Sequence, residues 1–158
     1  MNALGLTLLD ESFRTLRQMM REVRQHEFPD ERMIRGSLDT FFGYVRSNRA
    51  HFLFVSKELY GGSPTMRQAI RREIRLFVSE LAMDMARFPF LLQVSAQDLQ
   101  MMASLVVNSV VALTQEMLEL DEGDEAGQQE MLGMAEKQVR LIYFGVAQWR
   151  SQSSNGNT

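Results

Sequence analysis

The chain has 158 residues, 45% of them hydrophobic, and a formal net charge of −3. This length and composition predict one folded domain with a sizeable core and exclude an intrinsically disordered chain. Cysteine is absent, which excludes disulfides and thiolate chemistry. The first 87 residues have a positive excess of only three charges, which is small for a nucleic-acid-binding surface.

The spacing of hydrophobic residues predicts helices throughout, and no alternating run bounded by turn residues predicts a strand. The first helix is predicted from about Asn2 to Glu27, with Phe28-Pro29 at its end. Asp30 can cap the second helix by accepting hydrogen bonds from the free amide groups of the first turn. The opening residues do not have the pattern of a signal peptide, so we expect a cytoplasmic protein.

The middle of the chain is divided by two further helix boundaries. Asn48 is the predicted cap of a short third helix that ends at Tyr60, where Gly61-Gly62 breaks the pattern. Ser63 and Pro64 then predict the start of a fourth helix, with serine at the cap and proline at the first helical position.

Two longer helices are predicted in the last third of the chain. Ser95 is the expected cap of the fifth helix, which reaches about Leu120, and the sixth helix ends near Arg150. We therefore expect one domain over residues 1–150 and a disordered tail over residues 151–158, where no apolar residue anchors the chain.

The fifth helix has no charged residue between Leu99 and Gln115. A membrane span is disfavoured because several polar residues interrupt the segment. It can be a buried core helix of a monomer, or a helix covered by its own domain on one side and by a partner on the other. Its second face is uncharged but not strongly apolar, which favours a dimer interface shared with the sixth helix. The predicted interface residues are Ser104, Asn108, Val111, Leu118, Ile142, Val146 and Trp149.

Phenylalanine and methionine are abundant in the middle helices. Such side chains can line a cavity for a flexible apolar ligand, but they can equally fill a core, and composition alone favours the core. The candidate pocket residues are Phe41, Phe42, Val45, Phe52, Phe77, Leu81, Met101 and Leu105.

A basic run on the fourth helix contains Arg71, Arg72 and Arg75. Guanidinium groups bind phosphate through paired hydrogen bonds, so these residues are candidates for holding the charged head group of a ligand. The alternative is a solvated face that pairs with Glu73 and Glu80 on the same helix.

No motif predicts catalysis, a metal or a cofactor. The two histidines, His26 and His51, lie in no metal-ligand pattern. Neither a phosphate-binding glycine loop nor a nucleophile elbow is present. We therefore expect no enzyme activity.

Two segments resemble a known family. The stretches ALGLTLLDES, Ala3 to Ser12, and LRQMMRE, Leu16 to Glu22, resemble the first linking helix of TetR-type transcriptional repressors. The segment from Ser47 to Leu81 is similar to the helices that follow, and the likeness extends to about Arg150. In particular the chain resembles the FabR and DesT group of repressors of unsaturated fatty acid synthesis, whose members sense long-chain acyl thioesters.

The resemblance implies an all-α, six-helix regulatory domain that forms a homodimer through a four-helix interface of its last two helices. It implies an apolar effector, such as long-chain acyl-CoA, between the middle helices, and no membrane partner. The helix-turn-helix DNA reader of the family is absent from the sequence, so we expect DNA binding only through that missing domain. The alternative is a reader-less helical dimerisation scaffold that binds a protein partner instead of a small ligand.

Overall fold

The computed structural model describes residues 2–26 and 31–155, which fold into six α-helices and one short 3-10 helix. No strand occurs within these ranges, so the prediction of an all-α domain with six helices is confirmed. The helices are α1 (Asn2–His26), α2 (Glu31–Ser47), α3 (Arg49–Gly61), α4 (Pro64–Met85), α5 (Ala96–Glu119) and α6 (Glu125–Asn155), and the 3-10 helix is Pro89–Leu91.

The ends of α3 and α5 agree with the predicted ends at Tyr60 and Leu120 to within one residue. Helix α6 continues to Asn155, so the predicted boundary at Arg150 is five residues early. Neither proline nor glycine occurs between Val146 and Asn155, so the backbone can remain helical there. The predicted end of α1 at Phe28-Pro29 and the predicted cap at Asp30 lie outside the described residues, as do residues 156–158 of the predicted tail.

Serine side chains cap α4 and α5 as predicted. The Ser63 hydroxyl accepts a hydrogen bond from the Met66 amide at 3.3 Å, and the Ser95 hydroxyl accepts one from the Asp98 amide at 3.1 Å. Asn48 differs from the prediction: it occupies the cap position of α3, but its side-chain amide donates to the Tyr44 carbonyl at 3.0 Å. Asn48 therefore satisfies the carbonyl end of α2 instead of the amide end of α3.

Helices α1 and α4 lie side by side and run in the same direction. Arg17 pairs with Glu73, Arg21 Nη2 lies 3.1 Å from Glu80 Oε1, and Arg24 Nε lies 2.6 Å from Asp84 Oδ2. The residue numbers of the α4 partners increase in the same order as those of the α1 arginines. The two helices are therefore parallel. We call these three contacts the α1–α4 ion-pair ladder.

Helices α5 and α6 form an antiparallel pair next to these elements. Near the turn between them, Leu113 and Met117 share a buried cluster with Leu132 and Ala135. The end of α5 is fixed from α3, because Arg49 Nη2 donates to the Leu118 carbonyl at 2.7 Å and to the Leu120 carbonyl at 2.9 Å. These bonds satisfy carbonyl groups that have no partner within the helix.

Among the described residues, α5 alone is long and apolar enough to cross a membrane, and a third of its most apolar window is buried within the domain. The buried face includes Leu99, Met102, Ala103, Val106 and Leu113. A core helix of a globular domain has the same length and composition, so this feature is weak evidence for a membrane span.

Candidate ligand site

Residues from all six helices line a cavity of about 160 Å³. Helix α1 contributes Phe13 and Met20, and α2 contributes Met33 and Phe41. Residues from α3, α4, α5 and α6 complete the wall, among them Val55, Ile74, Val107, Val110 and Val139. The cavity therefore depends on the assembled bundle and not on any single pair of helices.

The lining of the cavity extends over several turns of three helices. It runs from Phe13 to Arg24 on α1, from Ile70 to Leu81 on α4 and from Val106 to Leu118 on α5. At a rise of 1.5 Å per residue, each of these stretches measures about 16 to 18 Å. A volume of about 160 Å³ spread along this length suits an extended chain better than a bulky ring system.

Polar residues are a minority of the wall and include Ser37 and Thr114. Ser56 and Tyr60 line it from α3, and Gln115 lines it from α5. Arg24 and Tyr143 line it on the side where Tyr143 packs against the second buried cluster, which contains Leu99, Met102 and Ala103. We call the Arg24 and Tyr143 side the polar end of the cavity.

The electrostatics of the polar end follow from burial. Burial raises the pKa of Tyr143 to about 12, although the nearby Arg24 guanidinium opposes this shift. The Tyr143 hydroxyl is therefore protonated and uncharged at neutral pH. Arg24 is charged, and its ion pair with Asp84 compensates that charge.

Four of the eight predicted pocket residues line the cavity, and four do not. Phe41, Phe52, Phe77 and Leu81 line it. Phe42 and Val45 are fully buried in the core and are not among the lining residues, and Val45 lies one turn beyond Phe41 on the same side of α2. Met101 and Leu105 are 47% and 50% exposed on the outer surface of α5, which corrects their assignment to the pocket. The helical phase explains the error, because Met102 and Val106, one position further, face the interior.

The predicted head-group arginines do not reach the cavity. Arg71, Arg72 and Arg75 are exposed, whereas Ile70 and Ile74 on the same helix line the cavity wall. One residue along a helix is a rotation of about 100°, which turns the arginines to solvent. The alternative pairing with Glu73 and Glu80 is also wrong, because the arginines of the α1–α4 ion-pair ladder occupy those carboxylates.

Some of the predicted dimer-interface residues lie on the surface of the domain, and others lie in its interior. Asn108 is exposed and Ser104 is half-buried, and the Asn108 amide lies 3.5 Å from the Ser104 hydroxyl. Val111 and Leu118 instead line the cavity, and Leu118 is buried, so neither belongs to an outer face. Ile142 and Val146 are partly buried against the core. The Trp149 side chain lies outside the described residues.

An exposed apolar surface on α5 and α6 contains residues that are not among the predicted interface residues. It consists of Met101 and Leu105 on α5 with Met134, Leu141 and Phe144 on α6. We call this surface the α5–α6 apolar face. The spacing from Met134 to Leu141 and then to Phe144 is a helical repeat on one side of α6, and it was the signal available in the sequence.

Sequence reasoning missed Arg24 and Tyr143. Arg24 is four positions after Met20 and therefore continues the inward stripe of α1.

The part of the chain that the structure describes contains no group of three or more histidine, aspartate or glutamate side chains that could hold a metal ion.

The fold and the cavity can now be compared with known proteins. A family model described as "Tetracyclin repressor-like, C-terminal domain" matches residues 29–147. The matched segment is more than half of the chain, and it contains five of the six helices that line the cavity.

Proposed function

Because this chain belongs to the family of tetracycline-repressor-like C-terminal domains, we propose that it is the effector-binding and dimerisation part of a TetR-family transcriptional repressor. The observation on which the proposal rests is the mainly apolar cavity lined by all six helices. A regulatory domain needs an internal site whose occupancy can favour one arrangement of its helices over another.

The shape of the cavity favours an extended apolar effector. Met20 and Met33 line it, and methionine side chains adapt readily to flexible ligands. Long-chain acyl-CoA, and hence control of fatty acid synthesis, is the effector that the sequence resemblance suggests. An apolar cavity of about 150 Å³ accepts a molecule the size of benzene, so a long acyl chain requires the lining side chains to move.

The arrangement of α1 suggests how an effector acts. Helix α1 lines the cavity with Phe13, Leu16 and Met20, and the α1–α4 ion-pair ladder holds it against α4. An effector that displaces these side chains favours a different position of α1. In this proposal, operator DNA is bound by a helix-turn-helix domain that these 158 residues do not include, and the repressor works in the cytoplasm.

We also propose a homodimer that buries the α5–α6 apolar face. Five large apolar side chains exposed on two adjacent helices are typical of an interface and unusual for a free surface. Two copies joined through this face bring four helices together, which retains the predicted four-helix arrangement but with different contact residues.

Native mass spectrometry with added palmitoyl-CoA tests the effector. We expect a dimer that gains one ligand mass per subunit. Ile74→Phe fills the cavity and should abolish this gain, whereas Leu76→Phe, on the exposed face of the same helix, should leave it unchanged.

Two other outcomes would count against the proposal. Equal binding by wild type and Ile74→Phe would place the ligand outside the cavity. A wild-type chain that takes up neither palmitoyl-CoA nor any small apolar probe would argue against effector sensing, and it would favour the alternative of a helical scaffold for a protein partner.

A further inference from the structure

The polar end of the cavity contains a buried ion pair at the ligand wall. Arg24 Nε lies 2.6 Å from Asp84 Oδ2, and the two side chains are only 8% and 17% exposed. Arg24 lines the cavity, so a guanidinium lies at the end of an apolar channel. Its positive charge is already matched by the Asp84 carboxylate, which leaves the polar end without net charge.

This charge balance discriminates between classes of ligand. A carboxylate placed beside Arg24 adds a second negative charge next to Asp84, among side chains that are largely buried. An unmatched buried charge is costly because it loses its hydration without gaining a partner. An uncharged oxygen does not incur that cost and still accepts a hydrogen bond.

Tyr143 supplies a donor for such an oxygen. It lines the cavity, and its hydroxyl lies within electrostatic reach of the Arg24 guanidinium. The ring is fixed by an edge contact with Phe90, with ring centres 6.1 Å apart, so the hydroxyl is held in a defined position. The polar end therefore presents hydrogen-bond donors to a ligand without attracting an anion.

We propose that the effector has an uncharged acceptor oxygen, a carbonyl or hydroxyl, that binds between Tyr143 and Arg24, with its apolar chain extended along α5. The inference rests on the proposed function and narrows it to a class. Neutral acyl derivatives such as esters and thioesters belong to this class, and free carboxylic acids do not.

Titration calorimetry with methyl octanoate and octanoate tests the proposal, because the two probes share one acyl chain and differ in charge. We expect the wild-type chain to bind methyl octanoate at least about tenfold more tightly, since octanoate must bury an unmatched charge. Tyr143→Phe should weaken methyl octanoate binding about fivefold, which corresponds to one hydrogen bond, and leave octanoate unchanged. Tyr44→Phe removes a hydroxyl from a half-buried tyrosine that does not line the cavity, so it should change neither affinity.

A charge substitution gives the opposite preference. Asp84→Asn leaves the Arg24 charge uncompensated, so octanoate binding should strengthen at least about tenfold relative to methyl octanoate. Circular dichroism establishes whether this variant folds, and Tyr143→Phe, which keeps the ring, tests the proposal independently of it.

The outcomes separate this inference from the proposed function. If the wild type binds both probes equally, or octanoate more tightly, the charge argument is wrong while effector sensing stands. If Tyr143→Phe and Tyr44→Phe weaken methyl octanoate binding to the same degree, the oxygen does not bind at the polar end. If the wild type binds neither probe, both the inference and the proposed apolar effector fail.

Discussion

Gly62 follows the last turn of α3, where its backbone amide donates to the Glu58 carbonyl at 3.0 Å. A methyl group on Gly62 would lie 2.6 Å from that carbonyl oxygen and 2.7 Å from the Glu58 Cα. Both distances are shorter than carbon atoms tolerate, and both involve backbone that cannot simply rotate away. Of the two glycines that break the helical pattern, Gly62 is therefore the one where the backbone leaves no room for a side chain.

We expect Gly62→Ala to reduce the free energy of unfolding by about 1–3 kcal/mol, the usual cost of overpacking. Gly61→Ala is the matched control, because a methyl group there meets nothing within 4 Å. Urea unfolding of the two variants checks the difference. Equal stabilities would show that the backbone around Glu58 relaxes without cost.

His51 is a second position where burial has a measurable effect. Burial lowers the pKa of His51 below the usual 6.5, because the charged imidazole loses hydration. Below pH 6.5 the unfolded chain then binds more protons than the folded one, so stability is complete above pH 6.5 and falls as the pH drops below it. His51→Gln should flatten this dependence, whereas His26→Gln controls for the other histidine of the chain. Unfolding midpoints measured across the window test this, and a slope unchanged in His51→Gln would contradict it.

At the scale of elements, the α1–α4 ion-pair ladder joins helices that are distant in the sequence. Arg17 and Glu73 are both largely buried, in contrast to the exposed pair of Arg14 with Asp10. A buried pair contributes little net stability when compared with apolar residues of similar size, but removal of one partner leaves an unmatched charge. The ladder therefore specifies how α1 lies on α4 more than it stabilises the fold.

Arg17→Met should destabilise the domain by about 3 kcal/mol, because it leaves the Glu73 carboxylate buried without its partner. The double variant Arg17→Met with Glu73→Met should recover most of this loss. Arg14→Met, in the exposed pair, should change stability by less than about 0.5 kcal/mol. Chemical unfolding of the wild type, Arg17→Met, Glu73→Met and the double variant closes a double-mutant cycle, and additive losses at Arg17 and Glu73 would show that the pair is not coupled.

The elements themselves were predictable from the sequence, and the faces of the longest helices were not. Ser63 and Ser95 marked helix starts because serine capping is a local interaction between neighbours. Leu118 and Leu105 both read as apolar residues of α5, yet one is buried and the other half exposed. An uncharged helix has no lysine or glutamate stripe to identify its solvent side. A small error in the rotational position of a residue therefore assigns a buried side chain to the surface, or an exposed one to the core.

At the scale of the whole molecule, the α5–α6 apolar face is the feature that predicts assembly. Leu141 is 73% exposed within the single chain, and it lies on the same side of α6 as Met134. The cavity, by contrast, could not be predicted, because its volume is what remains when six helices pack together. Composition indicated apolar side chains such as Phe41 and Phe77, but it gave no information on the space between them.

Leu141→Glu should convert the proposed dimer into a monomer, because dimerisation would bury an unpaired carboxylate. Met83→Glu is the matched control, since Met83 is 63% exposed on α4, away from the α5–α6 apolar face. Light scattering gives the mass of each variant, and circular dichroism verifies that helix content is retained. A dimeric Leu141→Glu variant would place the interface elsewhere.

The α1–α4 ion-pair ladder also determines the order in which the domain can be completed during synthesis. Arg17, Arg21 and Arg24 bind partners 56, 59 and 60 residues further along the chain. At ribosomal rates of about 5–20 residues per second, those partners are made about 3 to 12 seconds after the arginines. Closing so long a loop also costs more entropy than pairing neighbouring helices, so α1 docks on α4 later than it packs on α2. The cavity wall then lacks Tyr143 until α6 is made, and an effector can stabilise only a nearly finished chain.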